Sequence, residues 1–323
     1  SSDLDWENNN LLETPMFDTA ALDRDWRQPP IATERKPRAV VLAGAGIGPE
    51  ITASALRVLE AAGADLDVTH HGVPDGASYS VAVAPPQATL EAIDEADVVL
   101  RGPLDSCSGR VMGPAAAALR LNFGLHTHIR AAKALPGVGL GPAARDLDSA
   151  FVYETMEGAT RTSFSAGPAA TRAQRRRAER LASTALLAAN TRSAKKVVSA
   201  LHERQADGDG ETLAAALQAG ANLKSRLKIS EMSTDACARR LVADPGQFDV
   251  VVSSSLDGAI LSELASGLAG GRHLTSSADV GARVAMFGPV HGAAPDLAGQ
   301  DLANPTGMIL SAAMMLRHIG QAN

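Results

Sequence analysis

Short apolar segments alternating with helical patterns are what most constrain the fold of this chain. Residues 39–43 read as a buried strand, followed by the turn GAGIGPE and a helix over about 49–62. Residues 66–70 read as a strand, 87–95 as a helix and 97–100 as a further strand. Farther on, 195–199 and 248–253 read as strands and 207–210 as a polar turn. Apolar helices are expected over about 258–267 and 306–318. This alternation predicts an α/β sheet, without an internal repeat. Gly44, Gly46 and Gly48 look like a dinucleotide fingerprint, but Pro49 stands where the third glycine belongs, so a Rossmann reading is rejected. Pro49 suits a helix start instead.

At 323 residues the chain can bury one large core or two coupled domains. Hydrophobic residues make up 45% and charged residues 20%, ordinary for a globular protein. No apolar run approaches the ~18 residues that span a membrane. A net charge of −6 argues against nucleic acid as the main partner. Cys107 and Cys237 have no metal spacing and give no disulfide framework, which points to a reducing compartment. The chain begins with Ser1, as it would after removal of an import presequence or after trimming.

Residues 1–37 differ in character from the rest of the chain. Eight acidic residues face four basic ones, a local charge of −4, and both tryptophans lie here. No helical or strand period runs through the segment, and Pro15, Pro29, Pro30 and Pro37 punctuate it. It reads either as a disordered leader or as an arm placing Trp6 and Trp26 on a neighbouring subunit, since Trp is a favoured interface anchor. Five arginines between Arg172 and Arg180 read as the exposed face of a helix.

The segment 287–320, FGPVHGAAPDLAGQDLANPTGMILSAAMMLRHIG, carries the most chemical information. A loop punctuated by Gly and Pro leads into an apolar helix and presents His291, Gly292, Asp296 and Asn304. An acidic residue binds a ribose diol and repels a 2′-phosphate, and an Asn reads an adenine edge. The same residues also suit a turn that caps a core helix.

This segment closely resembles the cofactor loop and following helix of the β-decarboxylating dehydrogenases, the isocitrate and isopropylmalate dehydrogenase family. AGQD and MMLRHIG look more like the isocitrate branch, closest to NAD-dependent isocitrate dehydrogenase subunits. VVLAGAGIGPEI resembles the family's opening strand, usually with GDGIGPEI, so that Ala45 replaces an Asp. LRGPL resembles the family's KGPL turn with Arg101 in place of Lys, and residues 119–138 resemble LRxxLDLYANxRPxKxLPG. The resemblance runs from about residue 39 to 320. It implies two α/β domains sharing a mixed central sheet: 38–125 with 271–323 on the nucleotide side, and 126–270 with the dimer-forming segment. It also implies a family-like homo- or heterodimer.

The same resemblance implies that Arg120 and Arg130 clamp substrate carboxylates, a task that suits the planar guanidinium fork. Other parts of the family's machinery are replaced. Its SxNxxLR stands here as PAAAALR, which removes the Ser and Asn contacts. A third carboxylate-binding Arg falls on Tyr153. The catalytic Tyr aligns with Ala159 or Thr160, and the catalytic Lys with Glu203 or, one register away, His202. The family's NLYGDILSDL, whose two aspartates hold one metal ion, stands as SLDGAILSEL, so the ligands become Ala259 and Glu263. Asp257 lies about 200° round the helix from Ala259 and does not substitute. Asp235, which matches an Asp donated across the family's dimer interface, is kept. No Mg²⁺ is expected, because losing one ligand and lengthening another breaks its tight octahedral geometry.

The expected function is therefore that of a catalytically inactive homologue serving as a structural or assembly subunit, with an isocitrate-like ancestor pointing to the mitochondrial matrix. The alternatives are a regulatory subunit of an NAD-dependent isocitrate dehydrogenase and an active dehydrogenase of altered specificity. No cofactor is required on this reading. The family's Glu before the loop has become Gly288, while Asp296 in place of the NADP-type Lys leaves NAD, or another diphosphate nucleotide lacking a 2′-phosphate, as a vestigial ligand.

Overall fold

The computed structural model describes residues 35–72, 85–104, 114–155, 168–201, 209–222 and 227–321. Strand β1 (Arg38–Leu42) is buried from Ala39 onward and leads through the glycine turn into helix α1 (Gly48–Ala61). Gly46 has φ +59°, and a Cβ there would lie 2.0 Å from the Ala293 carbonyl oxygen. The turn closes on the chain's own backbone: Ala45 N–H donates to Pro103 at 2.7 Å and Ile47 N–H to Ala293 at 2.8 Å. Glycine is needed here for close approach of backbone to backbone, and those N–H groups are not left facing a pyrophosphate.

The remaining elements continue the α/β pattern. They are β2 (Asp67–His71), α2 (Gln87–Glu95), β3 (Val98–Arg101), α3 (Pro114–Asn122), β4 (Thr127–Lys133) and β5 (Asp148–Glu154). Then come α4 (Pro168–Asn190), β6 (Lys196–Leu201), α5 (Asp209–Asn222), β7 (Lys228–Ser233), α6 (Thr234–Ala243) and β8 (Val250–Ser253). The chain ends with α7 (Ser255–Leu268), β9 (Ser276–Val280), β10 (Ala285–Pro289) and α8 (Thr306–His318). The strands form one 10-stranded sheet in the order β2-β1-β3-β10-β9-β4-β5-β8-β6-β7. Pairing is parallel from β2 to β10 and again from β5 to β7. Only the central contacts, β10 with β9, β9 with β4 and β4 with β5, are antiparallel. A mixed sheet of this order is not the Rossmann arrangement.

Helices cover both faces. Helices α1 and α8 pack on Val41, Leu100 and Phe287, with Ile93 of α2 and Leu119 of α3 on the opposite face. In the other half, α6 and α7 cover Phe151, Tyr153 and Val251, while α4 and α5 cover Val152, Val197 and Val250. The central strands β9 and β4 are thus shielded on both sides, and any charge they carry must be neutralised inside the protein.

Some boundaries and faces differ from the sequence reading. Helix α7 begins at Ser255, so Asp257 is already in its first turn. Asp209 and Gly210 open α5 in place of the expected polar turn; the apolar residues at 213 and 217 are buried and pull this segment into the helix. The arginines of α4 do not share one exposed face. Arg172, Arg175 and Arg176 are exposed, but Arg177 turns toward the sheet and donates to Glu154 of β5 at 2.7 Å. A helix advances about 100° per residue, so these five arginines spread over roughly 200° of the helix, and Arg177 at one edge of that arc reaches the sheet. At the opposite end of the sheet, Arg192 pairs with Asp249 and, at 2.6 Å, with Asp148. Lys196 N–H completes the coordination of the buried Asp249 carboxylate at 3.0 Å.

Candidate functional site

Asp279 lies on β9 in the antiparallel centre of the sheet, directly opposite His128 of β4. It is 2% exposed. A carboxylate so placed needs positive charge and hydrogen-bond donors around it. Three elements supply them. Arg101, at the end of β3, reaches Asp279 Oδ2 with Nη2 at 3.4 Å. Arg120, on α3, brings Nε to 3.3 Å from the same oxygen. His128 bonds to Oδ1 through Nδ1.

The state of His128 is set by its second contact. Its Nε2 accepts from Arg130 Nε at 3.1 Å, and an arginine only donates, so the ring proton resides on Nδ1 and is donated to Asp279. Burial pushes the His128 pKa down to about 4; Asp279 pulls against burial, and Arg130 and Arg120 reinforce it. Burial alone would raise the Asp279 carboxyl. Arg120, His128 and Arg101 overcome it and hold the group well below the usual carboxylate range.

Arg130 extends the array toward solvent. Its Nη1 donates to Ser262 Oγ at 3.3 Å and pairs with the Glu263 carboxylate, both on α7. The other oxygen of Glu263 accepts from Arg272 Nε at 2.7 Å. Burial raises the Glu263 carboxyl, but Arg272 and Arg130 outweigh it and lower the pKa. Tyr153 of β5 sits against these groups, with its ring centroid 5.1 Å from that of His128 and 5.9 Å from Arg130 Cζ. Its hydroxyl lies 3.4 Å from Ser262 Oγ. Gly258 makes room for it: a Cβ at 258 would fall 2.3 Å from Tyr153 Cβ.

The structure therefore brings Arg120 and Arg130 into one cluster and gives both in-chain carboxylate partners. Asp235 is elsewhere, exposed in the first turn of α6, where the Ser233 side chain and the Ala236 N–H hold its carboxyl below its ordinary range. Asp257 is buried and accepts from Thr234 Oγ1 at 3.1 Å. Ala259 offers no donor atom, and Glu263 is engaged by two guanidinium groups. These residues do not fit a divalent cation, and among the described residues no three His, Cys, Asp or Glu side chains converge on one point.

The loop after β10 carries the residues expected to face a nucleotide, His291, Gly292, Asp296 and Asn304. His291 Nδ1 lies 3.0 Å from the Gly292 oxygen, while Nε2 is buried without a hydrogen-bond partner among the described residues. Asp296 is exposed, and its backbone oxygen accepts from Gln300 Nε2 at 2.6 Å. Asn304 Oδ1 accepts from Thr306 N at 3.0 Å and Thr306 Oγ1 at 2.7 Å, which fixes the start of α8. At Gly288 a Cβ would meet Arg101 O at 2.4 Å and Arg101 Cγ at 2.9 Å, so Arg101 occupies the space that a side chain at 288 would need. The inner end of the loop is thus filled by Arg101.

Ala159, Thr160, His202, Glu203, Trp6 and Trp26 lie outside the described residues. Sequence reasoning missed His128 and Asp279. The signal was present: THIR places His128 and Arg130 on one face of a strand by its period of two, and SSADV puts an Asp inside a buried strand.

These buried groups make stability depend on pH. His128 and His318 have pKa values near 4 in the folded chain and His126 near 3, all lowered chiefly by burial from 6.5. The unfolded chain binds these protons first, so the stability they confer is present above pH 6.5 and lost as pH falls toward 4. His128, the fully buried one of the three, contributes on the order of 3 kcal/mol to that loss. Melting temperature is expected to be level above pH 7 and to fall through this window, with a shallower fall in His318→Leu; a level profile down to pH 5 contradicts it.

Comparison with known proteins places this geometry. The family model "Isocitrate/isopropylmalate dehydrogenase" matches residues 38–323. The 3-isopropylmalate dehydrogenase of Archaeoglobus fulgidus is 37% identical over 291 residues, covering 87% of this chain and 86% of that protein. The probable isocitrate dehydrogenase [NAD] subunit alpha, mitochondrial, of Caenorhabditis elegans is 34% identical over 301 residues, covering 87% and 80%. The crystal structure of isocitrate dehydrogenase from Methylococcus capsulatus superposes with a TM-score of 0.73 at 29% identity, covering 88% of this chain and 86% of that one. With its mixed sheet and its arginines gathered at the sheet centre, the chain belongs to the isocitrate/isopropylmalate dehydrogenase family.

Proposed function

We propose that this chain is a catalytically inactive member of its family that serves as a structural or assembly subunit of a larger complex. The observation that carries this reading is the state of the arginine cluster. Arg120 and Arg101 are paired with Asp279, and Arg130 with Glu263, so the groups suited to grip an anionic substrate are neutralised within the chain. Around them, Tyr153 stands at the position of a family arginine and Ala259 at that of a metal ligand. Acid–base work, ion binding and substrate grip each contribute orders of magnitude to rate, and all are affected together.

A subunit role is supported by the surface of α6 and α7. Leu256 and Ile260 are 67% and 56% exposed one turn apart on α7, and Val242 on α6 is 52% exposed. An apolar stripe of this kind favours contact with another protein. The nucleotide-side domain (38–125 with 271–323) and the second domain (126–270), with this stripe in the latter, are part of the proposal. So is the mitochondrial matrix, by analogy with the relative from Caenorhabditis elegans. The second reading, a regulatory subunit of an NAD-dependent enzyme, is favoured by Asp235, exposed on the same pair of helices and able to reach a partner.

Two measurements test this reading. The purified protein is expected to show no reduction of NAD with isocitrate and Mg²⁺, and to co-purify from its native source with other subunits in defined ratio; turnover by the isolated protein overturns the proposal. Vestigial nucleotide binding at His291, Gly292, Asp296 and Asn304 is expected to be weak. Calorimetry should give an NAD affinity weaker than about 10 µM that is lost in Asp296→Ala, and absence of heat in the wild type retires that part.

A further inference from the structure

We propose that Glu263 is a built-in occupant of the Arg130 anion site: a carboxylate carried by the chain sits where a ligand carboxylate would, and keeps small dicarboxylates out. The inference rests on the reading of the chain as non-catalytic and deepens it, because it gives the cluster an occupant of its own. Among the described residues three hydrogen-bonding contacts engage Arg130, through Nε with His128 and through Nη1 with Ser262 and Glu263. The first two come from neutral groups and meet only its hydrogen-bonding needs. Among these contacts Glu263 alone supplies charge.

The position of Glu263 suits an occupant that can be vacated. Asp279 is held on three sides and buried at the sheet centre, fixed as part of the fold. The Glu263 side chain is one-third exposed, and it bridges Arg130 (18% exposed) and Arg272 (58% exposed) at the solvent edge. Truncating it would leave two guanidinium groups and the Ser262 hydroxyl around a gap of carboxylate size. The Asp279 carboxylate, pinned by Arg101, Arg120 and His128, is not available to fill that gap. Guanidinium groups bind carboxylates through their N–H donors, and one carboxylate of a short dicarboxylate can bridge Arg130 and Arg272 as the Glu263 carboxylate does.

The test uses the full-length protein, with succinate as the probe and sodium chloride at matched ionic strength as the control. Thermal unfolding is measured for the wild type, Glu263→Ala, Glu263→Gln and the double variant Glu263→Ala/Arg130→Met. The wild type is expected to show no saturable shift. Glu263→Ala is expected to melt lower alone and to recover saturably with succinate, with an affinity at least about tenfold above any wild-type response. The double variant is expected to lose that recovery. Glu263→Gln keeps the volume without the charge and serves where the alanine variant does not fold; it too should recover saturably. A wild-type response equal to that of the variants overturns the proposal, as does no response in a folded Glu263 variant. Neither outcome touches the functional reading, which fails separately if the wild type oxidises isocitrate.

Discussion

A carboxylate without access to water, Asp279, sits at the middle of a ten-stranded sheet, and the geometry around the candidate site depends on neutralising it. Its partners come from three separate parts of the chain: Arg101 from β3, Arg120 from α3 and His128 from β4. Meeting that requirement ties the two parallel halves of the sheet together at their antiparallel seam. It also sets the next contact outward, because His128 with its proton on Nδ1 must present Nε2 as an acceptor, and Arg130 is the donor that meets it. Arg130 is thereby oriented toward α7, where it finds Ser262 and Glu263.

This chain of contacts shows how the arginines at the sheet centre are neutralised within the chain. An arginine buried without a counter-ion is strongly destabilising, so a buried positive cluster must be compensated. Here it is compensated. Asp279 and Glu263 supply the negative charge, Tyr153 fills space beside Arg130 with an aromatic face, and Gly258 accommodates the phenol ring. The pairing of Arg101 with Gly288 has the same character: the arginine side chain packs over a position that holds no side chain of its own. Arg101, Tyr153 and the α7 pair Gly258 and Glu263, far apart along the sequence, gather around Asp279 and Arg130 and fit one another.

The fold was largely legible in the sequence because it rests on local signals. The strand–turn–helix at 39–62, the helix at 87–95 and the helix at 306–318 all announce themselves by apolar period and by glycine or proline at their ends. The arrangement of the site was less legible. Arg120 and Arg130 were identified by their motif, but their partners lie 159 and 133 positions away along the chain, and no local pattern discloses a pairing across such a span. Asp279 reads as one polar residue in a short strand until β9 is seen between β10 and β4. Asn304 shows the opposite case. Its suitability for a base edge was evident from residue type, while its bond to Thr306 depends on the turn that starts α8.

The central claim is that Asp279 and the arginines around it form one mutually compensating unit, and a double-mutant cycle tests it most directly. Equilibrium denaturation of Asp279→Asn, Arg120→Met and the double variant gives the coupling. Removing the Asp279 charge alone takes from Arg101, Arg120 and His128 the buried carboxylate they share and is expected to cost about 3–5 kcal/mol. The double variant should recover part of that loss, with a coupling of roughly 1–3 kcal/mol. Additive effects, or a near-neutral Asp279→Asn, would contradict the account.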